Sequence, residues 1–298
     1  MLLWGIDLGG TKIEGAILDP ANPAAAMHRL REPTESPKGY DHVLSQIARV
    51  VERLEEVSGI SRPSVIGIGT PGATEPSTGG IKNSNTTCLN GRPLRDDLSR
   101  KLGIEVRLAN DANCFALAEA TLGAGAGNKV VMGLILGTGV GGGIVINDRI
   151  LEGLHGIAGE WGHNPLCGET TNCYCGRKGC IETVLAGPSV ERHYRSLTGE
   201  SVRLPVIAER AQAGEEAAQA SLSRLRDKFG EAIAAVINIL DPDAIVIGGG
   251  VGNLDLFYTE DCRRAVAEHT FNHEVRTQFL RPQLGDSAGV FGAAMLAR

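Results

Sequence analysis

No stretch of the chain is apolar for the roughly 20 residues that a membrane-spanning helix requires. The opening Met1-Leu2-Leu3-Trp4-Gly5-Ile6-Asp7 has neither the basic n-region nor the cleavage site of a secretory signal, so the sequence is expected to work in the cytoplasm. Basic residues are outnumbered, 29 Lys and Arg against 35 Asp and Glu. A formal net charge of −6 argues against a nucleic-acid surface. There is no Walker A sequence, no low-complexity tract, and no linker long enough to separate independent modules. What remains is an ordinary globular composition, 42% hydrophobic and 21% charged over 298 residues. At roughly 100–200 residues per domain, that length suggests two domains.

Glycine is the outlier, with 40 residues gathered into short clusters. Leu2–Ile6 reads as a strand, Asp7-Leu8-Gly9-Gly10-Thr11-Lys12 as a turn, and Ile13–Leu18 as a second strand. The same unit returns roughly 130 residues later as Val130–Leu136, the turn Gly137–Gly143, and Ile144–Ile146, and this repetition suggests two related lobes. Between them lie a helix over Asp41–Val57, a strand over Ser64–Ile68, and a strand over Val106–Leu108 that leads into a helix over Ala112–Leu122. Farther on, Leu222, Leu225, Phe229, Ile233, Val236, Ile237 and Leu240 recur at helical steps across Glu215–Leu240. A strand over Ala244–Ile247 and a closing helix over Ala288–Ala297 complete the pattern, with the last helix expected on the first lobe. The lobes are expected as 1–122 plus 288–298 and as 123–287.

Without Cβ atoms, a glycine turn lets backbone N–H groups converge on an anion. In Gly5-Ile6-Asp7-Leu8-Gly9-Gly10-Thr11-Lys12 two glycines, a hydroxyl and a cation share one turn, and Asp7 is placed to hold Mg²⁺. The plainer alternative is a hairpin in which Asp7 caps its own backbone. Gly137-Thr138-Gly139-Val140-Gly141-Gly142-Gly143 offers a second phosphate turn, and Gly248-Gly249-Gly250 suits either a flat adenosine or a simple strand-to-helix turn. Gly137, Gly139 and Gly142 match the dinucleotide fingerprint, which demands a following helix. Ile144-Val145-Ile146 reads as a strand, so a nicotinamide oxidoreductase is disfavoured.

Asp111, at the junction of a strand and a helix, is a candidate general base, its ionised form favoured by the helix N-terminus. By spacing alone it is equally a helix cap, as is Asn110. His163, Cys173, Cys175 and Cys180 form the sharpest local signal. Three thiols within eight positions and an imidazole ten residues upstream make a closed Cys₃His set of the structural zinc type. Cys167 competes for one position, and Cys88, Cys114 and Cys262 read as buried thiols. Glu160 and Glu182 flank the cluster. They either face a sugar that the metal loop positions or lie on the surface, and His163 can offer its second nitrogen to a hydroxyl.

These pieces resemble the ROK family of sugar kinases and repressors over nearly the whole chain. The matching segments are Gly5–Lys12, Leu108–Asn113, Gly137–Gly143, Gly159-Glu160-Trp161-Gly162-His163 and Cys173–Glu182. The resemblance implies an α/β fold of the actin-like, hexokinase type, with two lobes around a cleft. It implies Asp111 as catalytic base, zinc on His163, Cys173, Cys175 and Cys180, and sugar contacts from Gly72, Asn110, Asp111, Glu160, His163 and Glu182. It puts MgATP on Gly5–Lys12, Gly137–Gly143 and Gly249, and it implies a homodimer. Within the family, Lys82–Gly91 and Glu160–Leu166 look most like bacterial fructokinases and mannokinases. N-acetylglucosamine kinases, which share Asn113–Leu117 and Met132–Gly143, come next, with glucokinases. A sugar-responsive repressor would place a winged helix before the first strand, which is expected to start at Leu2.

Overall fold

The computed structural model describes residues 2–19, 21–272 and 274–298. Three strands open the chain: β1 (Leu3–Leu8), β2 (Lys12–Asp19) and β3 (Asn22–Pro33). β1 and β2 are buried almost throughout, which is why they read as apolar runs and not as alternating patterns. The long strand β3 had no signal in the sequence, since Arg29, Arg31 and Glu32 break any apolar period. Helix α1 (Tyr40–Ser58) turns Val43, Ile47, Val50, Val51 and Leu54 inward and stops at Gly59, whose φ of 67° is the left-handed helix end that glycine favours.

Strand β4 (Val65–Thr70) lies parallel to β1. A small ladder of β5 (Ala73–Thr74) and β6 (Ile81–Lys82) follows, then α2 (Leu94–Leu102), β7 (Glu105–Asn110) parallel to β4, and α3 (Asp111–Thr121). The first sheet is ordered β3-β2-β1-β4-β7. β8 (Val130–Leu136), β9 (Val140–Ile146) and β10 (Arg149–Ile150) begin the second sheet. Helices α4 (Glu182–Leu185), α5 (Gly187–Thr198), α6 (Leu204–Gln212) and α7 (Glu216–Leu240) intervene. Then come β11 (Ala244–Gly248), α8 (Gly249–Gly252), α9 (Glu260–Ala267), β12 (Gln278–Leu280) and α10 (Ala288–Met295). The second order is β10-β9-β8-β11-β12. In both sheets a strand pair joined by a glycine turn stands beside two strands that run parallel to its first member. The repeat seen in the sequence is therefore a repeat of sheet topology.

The glycine turns are shorter than expected. β1 runs on to Leu8 and β2 starts at Lys12, so the first turn is Gly9–Thr11; the second is Gly137–Gly139, with Gly141, Gly142 and Gly143 inside β9. Two of those strand glycines answer to packing: a Cβ on Gly142 would lie 2.7 Å from the Gly159 carbonyl, and one on Gly143 2.8 Å from that of Ala112.

The chain packs as two units. Unit 1 comprises Met1–Gly127, Gly143–Ala158 and Gln283–Arg298; unit 2 comprises Asn128–Gly142 and Gly159–Pro282. In unit 1, Trp4, Ile6, Ile13 and Ile17 of the sheet meet Val43, Ile47 and Leu54 of α1. Helix α10 packs in unit 1 without intervening side chains. A Cβ on Gly67 would lie 1.7 Å from the Ala293 carbonyl, and one on Gly5 2.3 Å from that of Val290. In unit 2, the rings of Phe229 and Phe257 meet edge to face at 4.8 Å, with Phe279 at 6.0 Å from Phe229. Among the described residues no helix is long and apolar enough to cross a membrane.

Candidate active site and metal loop

In unit 1 the chemistry gathers at the carboxyl ends of the parallel strands β1, β4 and β7, where open α/β sheets bind ligands. Asp7 on β1 stands opposite Glu14 on β2 and level with Gly69 on β4, and Thr70 is level with Asn110 on β7. The Asp7 carboxylate rests on glycine: a Cβ on Gly289 of α10 would come within 2.7 Å of its Oδ2. Burial pushes the Asp7 pKa up to about 6, and the neighbouring carboxylates Asp111 and Glu14 add to the shift. Glu14 is itself buried and is bound by Arg29 and, at 2.6 Å, by Arg31, with Lys12 at 3.9 Å. Two cations thus pair with Glu14 directly, whereas Lys12 is the cation that works against the shift at Asp7, a carboxylate that could hold a divalent ion.

Asn110, and not Asp111, caps α3. Its Oδ1 accepts the Asn113 N–H at 3.0 Å, while its Nδ2 donates to Asp111 Oδ1 at 3.0 Å. Asp111 Oδ1 also accepts the Ala112 N–H at 2.9 Å, so neither of these bonds uses Oδ2. Its side chain reaches solvent, yet the protein mass around it desolvates the carboxylate and raises its pKa. That reverses the expectation from the helix N-terminus, because loss of hydration outweighs the attraction of the first-turn amides. Cys114, one turn along α3, is fully buried, and burial pushes its thiol well up. Gly72, at φ 85°, is pressed against Lys82 and Ser84, where a Cβ would lie 2.5 Å from the Lys82 carbonyl.

Unit 2 brings together the second glycine turn and the cysteine loop. One ring nitrogen of His163 and the Sγ atoms of Cys173, Cys175 and Cys180 all lie within 4.8 Å of one another. Cys175 and Cys180 are 3.6 Å apart, and so are Cys173 Sγ and His163 Nδ1. Two thiolates at about 2.3 Å from one tetrahedral ion would stand about 3.8 Å apart, so the donor set fits a zinc-sized cation. Cys167 is exposed and outside the cluster, its backbone bound by Glu231 and Lys228. Of the remaining thiols Cys114 and Cys262 are buried, whereas Cys88 is only partly so.

The second nitrogen of His163 meets a protein hydroxyl, that of Tyr174, at 3.1 Å. Tyr174 escaped the sequence reading because a lone tyrosine between two cysteines has no pattern. It is 82% exposed, and desolvation together with Glu182 and Glu160 pushes its hydroxyl up to about 12. Glu182 opens α4 two residues after Cys180, and its Oε2 accepts the Val140 N–H of the glycine turn at 2.9 Å. Thr138 is exposed at the tip of that turn. Gly249, at φ 83°, opens α8 with its backbone against Leu136, where a Cβ would lie 2.4 Å from the Leu136 carbonyl, so the strand-to-helix turn alone accounts for this glycine.

The sequence profile of the ROK family matches residues 3–298. The chain belongs to the ROK family. An N-acetyl-D-glucosamine kinase of Pasteurella multocida (strain Pm70) is 36% identical over 98% of each chain. Among solved structures, the ROK hexokinase from Thermus thermophilus matches with a TM-score of 0.88 and 34% identity, over 100% of this chain and 98% of that one. A ROK family glucokinase from Streptomyces griseus, solved with glucose and AMPPNP, matches with a TM-score of 0.78 and 29% identity, over 100% and 99%. The mixed sheets described above are thus those of ROK hexokinases, of the actin-like ATPase fold. The fructokinase and mannokinase resemblance is not what these ROK relatives favour; the N-acetylglucosamine alternative is.

Proposed function

We propose that this ATP-dependent sugar kinase of the ROK family phosphorylates the 6-hydroxyl of N-acetyl-D-glucosamine. The likeness to the Pasteurella multocida N-acetyl-D-glucosamine kinase, 36% identity over 98% of both chains, carries the choice of sugar. Glucose is the second reading, supported by the glucose-bound Streptomyces griseus relative. Fructose and mannose, which the segments 82–91 and 160–166 suggested, follow after both.

In this reading Asp111 accepts the hydroxyl proton through Oδ2 while Asn110 and the Ala112 N–H hold Oδ1 and so fix the carboxylate plane. A positioned base contributes about 10²–10⁴ in rate. MgATP supplies the electrophilic phosphoryl group and the charge that neutralises its transfer. Residues Gly5–Lys12 and Gly137–Gly143 with Gly249 serve the nucleotide, with Asp7 toward Mg²⁺. Gly72, Asn110, Glu160, His163 and Glu182 serve the sugar, and His163, Cys173, Cys175 and Cys180 hold a structural zinc. A cytoplasmic homodimer belongs to the same reading, to be checked by light scattering.

The deciding experiment is ADP release from MgATP with N-acetylglucosamine, glucose, mannose, fructose, N-acetylmannosamine and allose, run beside Asp111→Asn. The expected outcome is a preference for N-acetylglucosamine in the wild type and a loss of about 10²–10⁴ in kcat in the variant with sugar affinity kept within a few-fold. Turnover retained in the variant would remove Asp111 from its role. Preference for another hexose would overturn the substrate and leave the kinase.

A further inference from the structure

The resemblance assigns Glu182 to the sugar, and one of its carboxylate oxygens also has a partner inside the protein. Oε2 accepts the Val140 N–H at 2.9 Å, at the point where the second glycine turn enters β9. Five residues on, the Gly187 N–H donates to the Gly137 carbonyl at 2.8 Å, at the point where β8 ends. Both ends of the turn are therefore tied to one short segment, Glu182–Gly187, that starts two residues after Cys180. Inside the turn the Gly137 N–H donates to the Gly139 carbonyl at 2.9 Å. Val140 and Gly137 thus spend their amides within the protein, and the amides of Thr138 and Gly139 are the ones set at the tip.

Gly139 carries the same message. A Cβ there would lie 2.7 Å from Glu182 Oε2 and 3.6 Å from its Cδ. A side chain at this position would meet the carboxylate of Glu182, which would have to move away from it. A Cβ on Gly162 would lie 2.6 Å from the Val140 carbonyl, so the segment before the metal loop packs closely against Val140, while the segment after it bonds the Val140 N–H.

We propose that Glu182 is a positioning residue for nucleotide binding: its bond to Val140 holds the turn Gly137–Gly139 in the shape that presents the Thr138 and Gly139 amides to phosphate. This rests on the reading of that turn as a phosphate turn of a sugar kinase. The bond is charge-assisted, the stronger kind of hydrogen bond, and a turn freed of it must be ordered by the ligand at the ligand's expense.

The test is the affinity for Mg-AMPPNP, measured calorimetrically on the full chain without sugar. Glu182→Ala is expected to weaken it by about tenfold, the scale of one charge-assisted bond. Glu182→Gln keeps an oxygen that can accept the Val140 N–H and is expected to stay within about threefold of the wild type. Gly139→Ala, whose Cβ displaces the carboxylate, should weaken binding as Glu182→Ala does, and the double variant should be no worse than either. Zinc content and melting temperature of each variant separate a lost turn from a lost fold. Unchanged Mg-AMPPNP affinity in Glu182→Ala, with only the sugar KM raised, would overturn the proposal and leave Glu182 a sugar contact. Tighter binding in both Glu182 variants would overturn it too, since repulsion between carboxylate and phosphate would then be what Glu182 contributes. Failure of the kinase reading shows separately, as absence of ADP from any sugar in the wild type.

Discussion

Asp7 is a carboxylate placed where hydration is poor, beside Asp111 and Glu14, and its pKa stands at about 6 against 3.8. A raised carboxylate pKa means that the folded state prefers the neutral acid. Its contribution is therefore most favourable below the unfolded pKa and is lost as pH rises from about 4 through about 6. At neutral pH, without a divalent ion, the charged form costs stability on the order of 2–3 kcal/mol. Asp7→Asn should accordingly raise the melting temperature of the ligand-free protein at pH 7.5, with the gain shrinking as pH falls toward 4.5. Thermal scans across that range with and without Mg²⁺ check it; a pH-independent difference would mean that Asp7 is not the titrating group. Spacing could not say whether Asn110 or Asp111 caps α3, since both side chains suit the role. The 3.0 Å bond from the Asn113 N–H to Asn110 decides it, and Asp111 Oδ2 is left out of the cap.

Among the elements, the Cys and His cluster was the most legible, because three of its four donors lie within eight positions and the fourth, His163, stands ten residues upstream. Purified without chelator, the chain is expected to hold about one zinc, and Cys175→Ser to lose it along with several degrees of melting temperature. Metal analysis beside thermal scans measures both, and less than about half an equivalent in the wild type would dismiss the site. Helix α10 was legible as a helix and was expected on the first lobe, but the glycines that admit it there were not legible. Gly5 and Gly67 admit its backbone directly, and Gly292 brings it onto α3, where a Cβ would lie 1.8 Å from the Cys114 carbonyl. Gly67→Ala should destabilise the protein by about 1–3 kcal/mol or more through overpacking, read from urea unfolding. A change near zero would show that the helix shifts to make room. Because α10 also carries Gly289 against Asp7, that shift would be felt at the site as well.

At the scale of the molecule, a kinase that binds its sugar in the folded state alone must be stabilised by it. Saturation to about a hundredfold over Kd is worth about 2.7 kcal/mol, or several degrees in a thermal scan. N-acetylglucosamine should give the largest shift of the hexose panel, and equal shifts with every sugar would deny the specificity. The repeated strand, glycine turn and strand were visible in the sequence because both copies are local and strongly apolar. The amino-acid order thereby determined the strongly apolar and periodic elements, the two-fold repeat, the cluster of cysteines with His163 and the family, all of which depend on neighbours in the chain. Tertiary structure alone decided that β3 completes the first sheet despite its charges and that Gly143–Ala158 groups with unit 1. It likewise decided that Tyr174 takes the second nitrogen of His163 and that Glu182 holds the turn at Val140. Each of these depends on groups brought close by packing or by hydrogen bonds across sequence gaps, and no local period or spacing encodes such a meeting.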